Sequence, residues 1–223
     1  MVIAISGMIG SGKSTLSKHL NQHYHKSYLL EEFAQDDNVF NTFLKWVYEK
    51  EPNIDIAFQS YIIESLSDTF AKKEKLFLKD RNHKEHYMFL DRFNLEHYIF
   101  ALVTLEKKPY RYTQAFNALF EHIINLNDNP DLAIFLDADF DTIKSRILSR
   151  GRKIEIDNFE MNEDYFKRLH SSYKELFLFL VNKYNIPYYI INTNDINDEK
   201  VLNQTIDFID KYDFTKSVRY KNL

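Results

Sequence analysis

Cysteine is absent from this chain of 223 residues, and no uncharged apolar run reaches the ~18 residues that a membrane helix needs. The absence of thiols excludes disulfides, thiolate nucleophiles and a secreted disulfide scaffold. The first apolar run has the character of a strand rather than of a signal peptide. The net charge of -4 gives no general attraction to nucleic acid or to anionic membranes. We therefore expect a soluble cytoplasmic enzyme with neither a nucleic-acid nor a membrane partner.

Glycine is also scarce, because the chain has four where average usage would give about sixteen. Three of them lie in the segment Gly7-Met8-Ile9-Gly10-Ser11-Gly12-Lys13-Ser14, which has the G-x-x-x-x-G-K-[ST] pattern of a phosphate loop. An apolar run at residues 2–6 precedes the segment. Leu16 and Leu20, one helical turn apart, follow it. Strand, glycine turn and helix form the context that this pattern requires.

The pattern predicts a binding site for the phosphates of a nucleotide. Glycines let successive backbone N–H groups point at an anion, and the start of the following helix adds its positive dipole end. Lys13 would reach the β- and γ-phosphates, and the Ser14 hydroxyl would hold Mg²⁺. The predicted contacts are Gly7, Met8, Ile9, Gly10, Ser11, Gly12, Lys13, Ser14 and Thr15.

Short apolar runs alternate with helical patterns along the rest of the chain. Strands are predicted at residues 2–6, 27–30, 87–90, 132–136 and 186–191, and helices at about 38–50, 54–78, 95–105, 112–127, 139–150, 161–184 and 199–212. This alternation predicts an α/β fold with a five-stranded parallel sheet flanked by helices. Ligands of such sheets bind at the carboxyl ends of the strands.

Charged residues follow the second and third predicted strands. Glu31 and Glu32 point to opposite faces, so one of them can face the phosphates and take a proton from an attacking hydroxyl. Asp91 could hold Mg²⁺ directly or through water, and Arg92 could hold the acceptor oxygen or the phosphoryl group in transfer. The alternatives are a solvated glutamate and a structural ion pair.

Three arginines surround the fourth glycine, Gly151. Arg146 and Arg150 are one helical turn apart, and Arg152 follows the glycine. Guanidiniums that converge on one point need anions between them, which a triphosphate supplies. A solvated basic helix end, favoured by the helix dipole, is the alternative.

Together these residues resemble the deoxynucleoside kinase family, in particular its bacterial deoxyadenosine/deoxyguanosine kinase branch. The resemblance extends over residues 1–212 and rests on six segments in the family's order, at 6–15, 32, 48–50 with 58–61, 91–92 with 98–101, 146–155 and 165–173. It implies a single P-loop nucleoside/nucleotide kinase domain over residues 1–223, with an arginine-rich lid at about 150–160. It further implies transfer of the γ-phosphate of ATP to the 5′-hydroxyl of a deoxynucleoside, dependence on Mg²⁺, and a homodimer.

The resemblance also implies roles for particular residues. Glu32 resembles the general base, and Lys13, Arg92, Arg150 and Arg152 the other catalytic residues. Tyr48 and Glu155 resemble the pair that holds the sugar 3′-hydroxyl, and Gln59 the amide that pairs with the base. ATP would bind to residues 7–15 with Arg146, Arg150 and Asp195, and Ser14 and Asp91 would hold the metal. The acceptor site would comprise Glu32, Tyr48, Gln59, Arg92, His97 and Glu155.

The chain departs from the family pattern at the third position of the acidic-Arg-Ser/Thr motif and at the pair of residues that reads the base. Phe93 replaces a serine or threonine, Leu66 replaces an arginine, and His97 or Tyr98 replaces an aspartate. If the preceding Glu96 turns inward, it can accept from an amine and favour deoxyadenosine or deoxycytidine. If His97 turns inward beside Leu66, thymidine becomes possible. The resemblance itself favours a purine deoxynucleoside.

Two other functions share part of this pattern. A nucleoside monophosphate kinase of the thymidylate kinase type has the loop, an Asp-Arg motif and a lid, but its acceptor is already ionised and needs no glutamate base. A nucleotide-binding switch or regulatory ATPase would position a water molecule, and it would not need a sugar-binding set such as Tyr48, Gln59 and Glu155.

Overall fold

Five parallel strands form one sheet in the computed structural model, which describes residues 1–32, 37–82, 84–150 and 153–217, with the backbone alone at residues 150, 153–158 and 160–161. The strands are β1 (Val2–Ser6), β2 (Tyr28–Leu30), β3 (Met88–Asp91), β4 (Leu132–Asp137) and β5 (Tyr188–Asn192). Their order in the sheet is β2-β3-β1-β4-β5. The predicted five-stranded parallel sheet is confirmed.

The described helices flank this sheet. They are α1 (Lys13–His23), α2 (Asn38–Tyr48), α3 (Asp55–Asp80), α4 (Glu96–Leu105), α5 (Tyr110–Ile123), α6 (Phe140–Arg150), α7 (Lys153–Lys183) and α8 (Asp198–Lys211), with 3₁₀ turns at Leu126–Asp128 and Phe214–Lys216. No described helix combines the length and the apolar character that crossing a membrane requires.

Two predicted helix ends were wrong. The helix predicted to run to residue 127 ends at Ile123, and the Asn125 side chain then accepts from the backbone N–H of Asn127, which starts a separate 3₁₀ turn. The helix predicted from residue 161 begins at Lys153. Residues 153–160, which we assigned to a lid, therefore have the helical backbone of the start of α7.

The central strand β1 is apolar because both of its faces are covered. Val2 and Ala4 point into the larger core, to which α3, α4, α5 and α7 contribute. Ile3 and Ile5 point into the second core, formed with α1 and α8. Such two-sided burial produces a continuous apolar run rather than an alternating one.

The topology brings the charged residues to one edge of the sheet. Because β3 lies between β2 and β1, the carboxyl ends of three neighbouring strands carry Glu32, Asp91 and the phosphate loop. Leu30 pairs with Leu90, and Ile5 pairs with Asp91, so these ends lie level with one another. This edge is where a parallel sheet binds its ligands.

Candidate active site

The phosphate loop has three positions whose backbone conformation favours glycine. Gly7, Gly10 and Gly12 have φ values of 139°, 83° and 100°. A Cβ at Gly7 would lie 2.7 Å from the carbonyl oxygen of Leu136. The Lys13 ammonium donates to the carbonyl oxygen of Met8 at 3.1 Å. Within the described residues no side chain caps the start of α1, so its first N–H groups are available to an anion.

A cleft of about 270 Å³ opens along this loop. Its lining comprises Gly10, Ser11, Gly12, Lys13, Ser14, Thr15, Leu16, His19, Leu136, Arg146, Ser149, Thr193, Asp198 and Val201. The Arg146 guanidinium donates to the Thr193 carbonyl oxygen at 2.7 Å and to its hydroxyl at 3.0 Å, which fixes the cation in the wall. Asp195 is exposed, in the loop between β5 and α8, and does not line the cleft. The cleft has the charge and the N–H groups that bind a polyphosphate.

Glu32, and not Glu31, joins the charged cluster at the sheet edge. An oxygen of Glu32 lies 2.8 Å from Nε of Arg92, whereas Glu31 pairs with Lys18 at 2.9 Å on the surface. The Glu32 side chain keeps 22% of its exposure, so a substrate can reach it. Burial raises the pKa of Glu32, although the positive charges of Arg92 and Lys13 oppose this shift.

Burial also perturbs the phosphate-loop lysine. Removal from water lowers the pKa of Lys13 to about 8, and repulsion from Arg92 acts in the same direction. The carboxylates of Asp91, Glu32 and Glu96 oppose the shift. A bound phosphate would favour the charged form further, so the site is built to receive an anion.

Asp91 and Arg92 are both buried at the end of β3. Oδ1 of Asp91 has no hydrogen-bond partner among the described residues. Such an oxygen fits a magnesium ligand, and the half-buried Ser14 at the start of α1 offers a hydroxyl. Arg92 has a left-handed backbone, with φ of 75°, and its guanidinium carbon lies 4.8 Å from the ring centre of Phe100.

A third carboxylate, Glu96, is a possible base-reading residue according to the sequence. It does turn inward, but its Oε2 accepts from the Gly7 N–H at 3.2 Å and from the Tyr173 hydroxyl at 2.7 Å. Arg92 lies 3.3 Å from the same oxygen and also donates to Tyr173. Tyr173 closes the segment 165–173 that carries the family resemblance, but no role was predicted for it. Glu96 therefore contacts the phosphate loop instead of an incoming base.

Three of the predicted acceptor residues, Tyr48, Gln59 and His97, lie on α2, α3 and α4. Gln59 is buried on α3, and its Oε1 has no hydrogen-bond partner among the described residues. Nε2 of His97 lies 3.8 Å from Glu32. Burial, reinforced by Arg92 and Lys13, holds the pKa of His97 well below its usual range, so its ring is neutral. The Tyr48 ring stacks on α7 through Phe166, with centroids 6.4 Å apart.

Four predicted residues are described in part or not at all. Gly151 and Arg152 lie outside the described residues. The backbone puts Arg150 at the end of α6 and Glu155 in the first turn of α7, but their side chains lie outside the described part of the chain. Their predicted contacts with triphosphate and sugar stay predictions.

Comparison with known proteins agrees with this geometry. The family model for deoxynucleoside kinase matches residues 3–212. An uncharacterised protein of Mycoplasma pneumoniae is 28% identical over 212 residues, which cover 93% of this chain and 88% of that protein. A deoxyguanosine kinase of Lactobacillus johnsonii is 31% identical over 175 residues, covering 78% of this chain and 75% of the relative.

The fold itself recurs in a deoxyadenosine kinase from M. mycoides, solved with the products dCMP and dCDP. The two structures superpose with a TM-score of 0.76 at 20% identity, covering 95% of this chain and 100% of that one. The family model spans nearly the whole chain. The phosphate loop and the charged residues at the strand ends lie at the sheet edge, as the sequence predicted. The chain belongs to the deoxynucleoside kinase family and is an ATP-dependent kinase.

Proposed function

We propose that this kinase transfers the γ-phosphate of ATP to the 5′-hydroxyl of a purine deoxynucleoside, deoxyadenosine or deoxyguanosine, with Glu32 as the general base. The position of Glu32 supports the proposal most directly, because its carboxylate lies at the sheet edge beside Arg92 and near the phosphate-loop lysine. A carboxylate there is useful when the acceptor is a hydroxyl. A monophosphate acceptor is already ionised and would gain nothing from it.

The reaction needs one proton transfer and one exchange of bonds. Glu32 takes the proton of the 5′-hydroxyl as that oxygen bonds to the γ-phosphorus, and the bond from this phosphorus to the bridging oxygen of ADP breaks. The raised pKa of Glu32 brings its proton affinity closer to that of a useful base at neutral pH. Arg92, next to the base, stabilises the negative charge that spreads over the phosphoryl oxygens.

The donor side supplies positive charge and N–H groups. Lys13 and the loop amides bind the β- and γ-phosphates, and Arg146 lies in the wall of the same cleft. We assign Arg150 and Arg152 to the lid that closes over the triphosphate, and Asp195 to the outer end of the donor site. Asp91 and Ser14 would hold Mg²⁺, which neutralises phosphate charge when bound.

The acceptor side accounts for the sugar and the base. Tyr48 and Glu155 would hold the 3′-hydroxyl, and the unpaired amide oxygen of Gln59 would accept from the base. The Lactobacillus johnsonii relative, a deoxyguanosine kinase, supports a purine. Thymidine is the second candidate, because a neutral His97 and the half-buried Leu66 replace the charged base-reading pair.

The test is a turnover profile over the four deoxynucleosides, repeated with Glu32→Gln and Glu31→Gln. Removal of the base should lower kcat by about 10²–10⁴ in Glu32→Gln. Glu31→Gln is the matched control and should stay near wild type, because Glu31 pairs with Lys18 on the surface. A strong loss in Glu31→Gln alone would refute the base assignment.

The profile itself decides the base. A mismatch that leaves a buried polar group unpaired costs about 1–3 kcal/mol, so a purine should exceed the pyrimidines by about ten- to a hundredfold in kcat/KM. Thymidine as the best acceptor by tenfold or so, with a ratio altered in His97→Ala, would overturn the purine preference. We also propose a homodimer on the basis of the family resemblance. Sedimentation would then give twice the chain mass of 26.8 kDa.

A further inference from the structure

Glu96 is a fully buried carboxylate, with 0% of its surface exposed. A buried charge is costly unless donors and an opposite charge surround it. Glu96 has both, because its Oε2 receives the Gly7 N–H, the Tyr173 hydroxyl and the Arg92 guanidinium. Its Oε1 accepts from the N–H of Phe93 at 3.4 Å. The carboxylate is therefore held from several directions.

The donors around Glu96 belong to separate parts of the site. Gly7 begins the phosphate loop after β1, Arg92 follows β3, and Tyr173 lies in the middle of α7. Glu96 itself is the first residue of α4. One carboxylate thus links the donor-binding loop, the acceptor-side arginine and two helices.

Arg92 has two carboxylate partners on different nitrogen atoms. Its Nε lies 2.8 Å from Glu32, and its Nη1 lies 3.3 Å from Glu96. The guanidinium is planar and rigid, so two partners on different atoms fix its orientation. The rings of Phe100 and Tyr173 lie 4.8 and 5.7 Å from its central carbon and restrict it further.

Only one of these two carboxylates changes its charge during the reaction. When Glu32 accepts the proton of the 5′-hydroxyl, its attraction for Arg92 falls, whereas that of Glu96 remains. We propose that Glu96 is a positioning residue, which holds Arg92 against the phosphate loop while the proton moves onto Glu32. This inference rests on the proposed function, since it takes Arg92 to act on the phosphoryl group.

The first measurement is the steady-state kinetics of Glu96→Gln. The amide keeps the shape of the side chain but loses its negative charge. Of the two carboxylate partners, only Glu32 then attracts Arg92, whose position changes when Glu32 is protonated. Because a small misplacement of a catalytic group is costly, kcat should fall about 10- to 100-fold. The KM values for ATP and deoxynucleoside should stay within about threefold, since Glu96 touches neither ligand directly in this assignment.

A double-mutant cycle with Arg92→Lys separates positioning from a merely structural role. Lysine has a point charge and cannot engage both carboxylates in the guanidinium's fixed geometry. If Glu96 acts through Arg92, Glu96→Gln should cost less than about threefold in kcat when Arg92→Lys is already present. An equal loss in both backgrounds, or an unchanged kcat in the single variant, would overturn the proposal.

Two further variants complete the design. Glu106→Gln, just past the end of α4, makes the same chemical change at an exposed carboxylate that pairs with Arg168 at 3.2 Å, so it should leave kcat unchanged. Tyr173→Phe removes a hydroxyl that donates to Glu96 and accepts from Arg92, and it serves if Glu96→Gln does not fold. Its loss of kcat should likewise shrink in the Arg92→Lys background, and an equal loss there would contradict the proposal.

The wild-type assay keeps this inference distinct from the proposed function. The cycle uses whichever deoxynucleoside is the best acceptor, so it does not depend on the base. If the wild type phosphorylates no deoxynucleoside, the proposed function fails. If it is active and the Glu96 variants are not coupled to Arg92, the positioning role alone fails. Coupling that persists while Glu32→Gln is fully active would refute the base and the link to proton transfer, and would leave Glu96 only as a residue that orients Arg92.

Discussion

The pKa values of the charged side chains in this site depend on burial and on the neighbouring charges. Lys13 and Arg92 carry the positive charge, and Glu32, Asp91 and Glu96 carry the negative charge, in a region largely withdrawn from water. Each group is therefore more sensitive to the loss or arrival of a neighbour than it would be in solution.

At the scale of a residue, the lysine of the loop should make donor capture dependent on pH. The pKa of Lys13 is lowered to about 8 in the free protein, so the ammonium loses its proton and its attraction for phosphate as the pH rises above that value. We expect kcat/KM for ATP, which reports the free enzyme, to fall above about pH 8. The decline in kcat should occur at higher pH, since bound phosphate stabilises the ammonium.

A matched variant checks this assignment. Lys13→Arg keeps a positive charge at every accessible pH, so its kcat/KM for ATP should lose the decline, even if its absolute value is lower. A variant that retains the same decline near pH 8 would assign the effect to another group.

The sequence predicted the members of this charged cluster better than their contacts. The strand-end rule indicated that one of two adjacent glutamates would face the phosphates, but it did not choose between them. Glu32 is the one that reaches Arg92. The contacts of Glu96 could not be predicted, because they depend on the left-handed backbone of Arg92 and on a tyrosine 77 positions away.

At the scale of an element, the phosphate loop packs closely against α6. A Cβ at Gly10 would lie 2.8 Å from Cγ1 of Ile147 and 3.2 Å from the carbonyl oxygen of Ile143. Both residues belong to the helix that carries Arg146. Because Gly10 has no side chain, the loop can pack directly against α6, and this contact sets the distance between the loop and Arg146.

Gly10→Ala should therefore separate the loop from α6. We expect it to lower the free energy of unfolding by about 1–3 kcal/mol more than Gly12→Ala does, since overpacking adds to the backbone strain. Gly12 also has a positive φ, of 100°, but its added Cβ would approach nothing closer than 3.9 Å. Chemical denaturation of both variants measures the difference, and equal losses would show that backbone strain alone matters.

The boundaries of the predicted elements were accurate where the apolar pattern is clear. They were inaccurate at the start of α7, where the expected lid led us to begin the helical pattern too late. The five strands were found within two residues of their observed ends because their apolar runs are compact. The start of α7 was missed by eight residues because its first turns are rich in charged residues, which we assigned to a lid. Backbone helicity and a functional lid are compatible, so the pattern of charge alone could not give the boundary.

At the scale of the whole molecule, the two proposed half-sites share one sheet. The cleft of the proposed donor half is built on β1, α1 and α6, and the proposed acceptor half would be built on β2, β3, α2, α3 and α4. They meet where Arg92, Lys13 and Glu32 influence one another's charge. Each half should therefore bind its own ligand, and each ligand should stabilise the same folded domain.

This arrangement predicts separable stabilisation by the two ligands. A ligand at 100 times its Kd stabilises the folded state by about 2.7 kcal/mol. For a domain of this size that shift corresponds to a rise in Tm of about 5–10 °C. Thermal melting should show this rise with ATP and with deoxynucleoside separately. Lys13→Ala should abolish the rise with ATP and keep that with deoxynucleoside, because the acceptor half does not need the ammonium.

The reverse variant acts on the acceptor half. Gln59→Leu removes the buried amide whose oxygen has no partner among the described residues, so it should abolish the rise with deoxynucleoside and leave that with ATP. A loss of both shifts in either variant would mean that the halves cannot bind independently. Binding at one half would then depend on the charges of the other half, through the shared cluster of Lys13, Arg92 and Glu32.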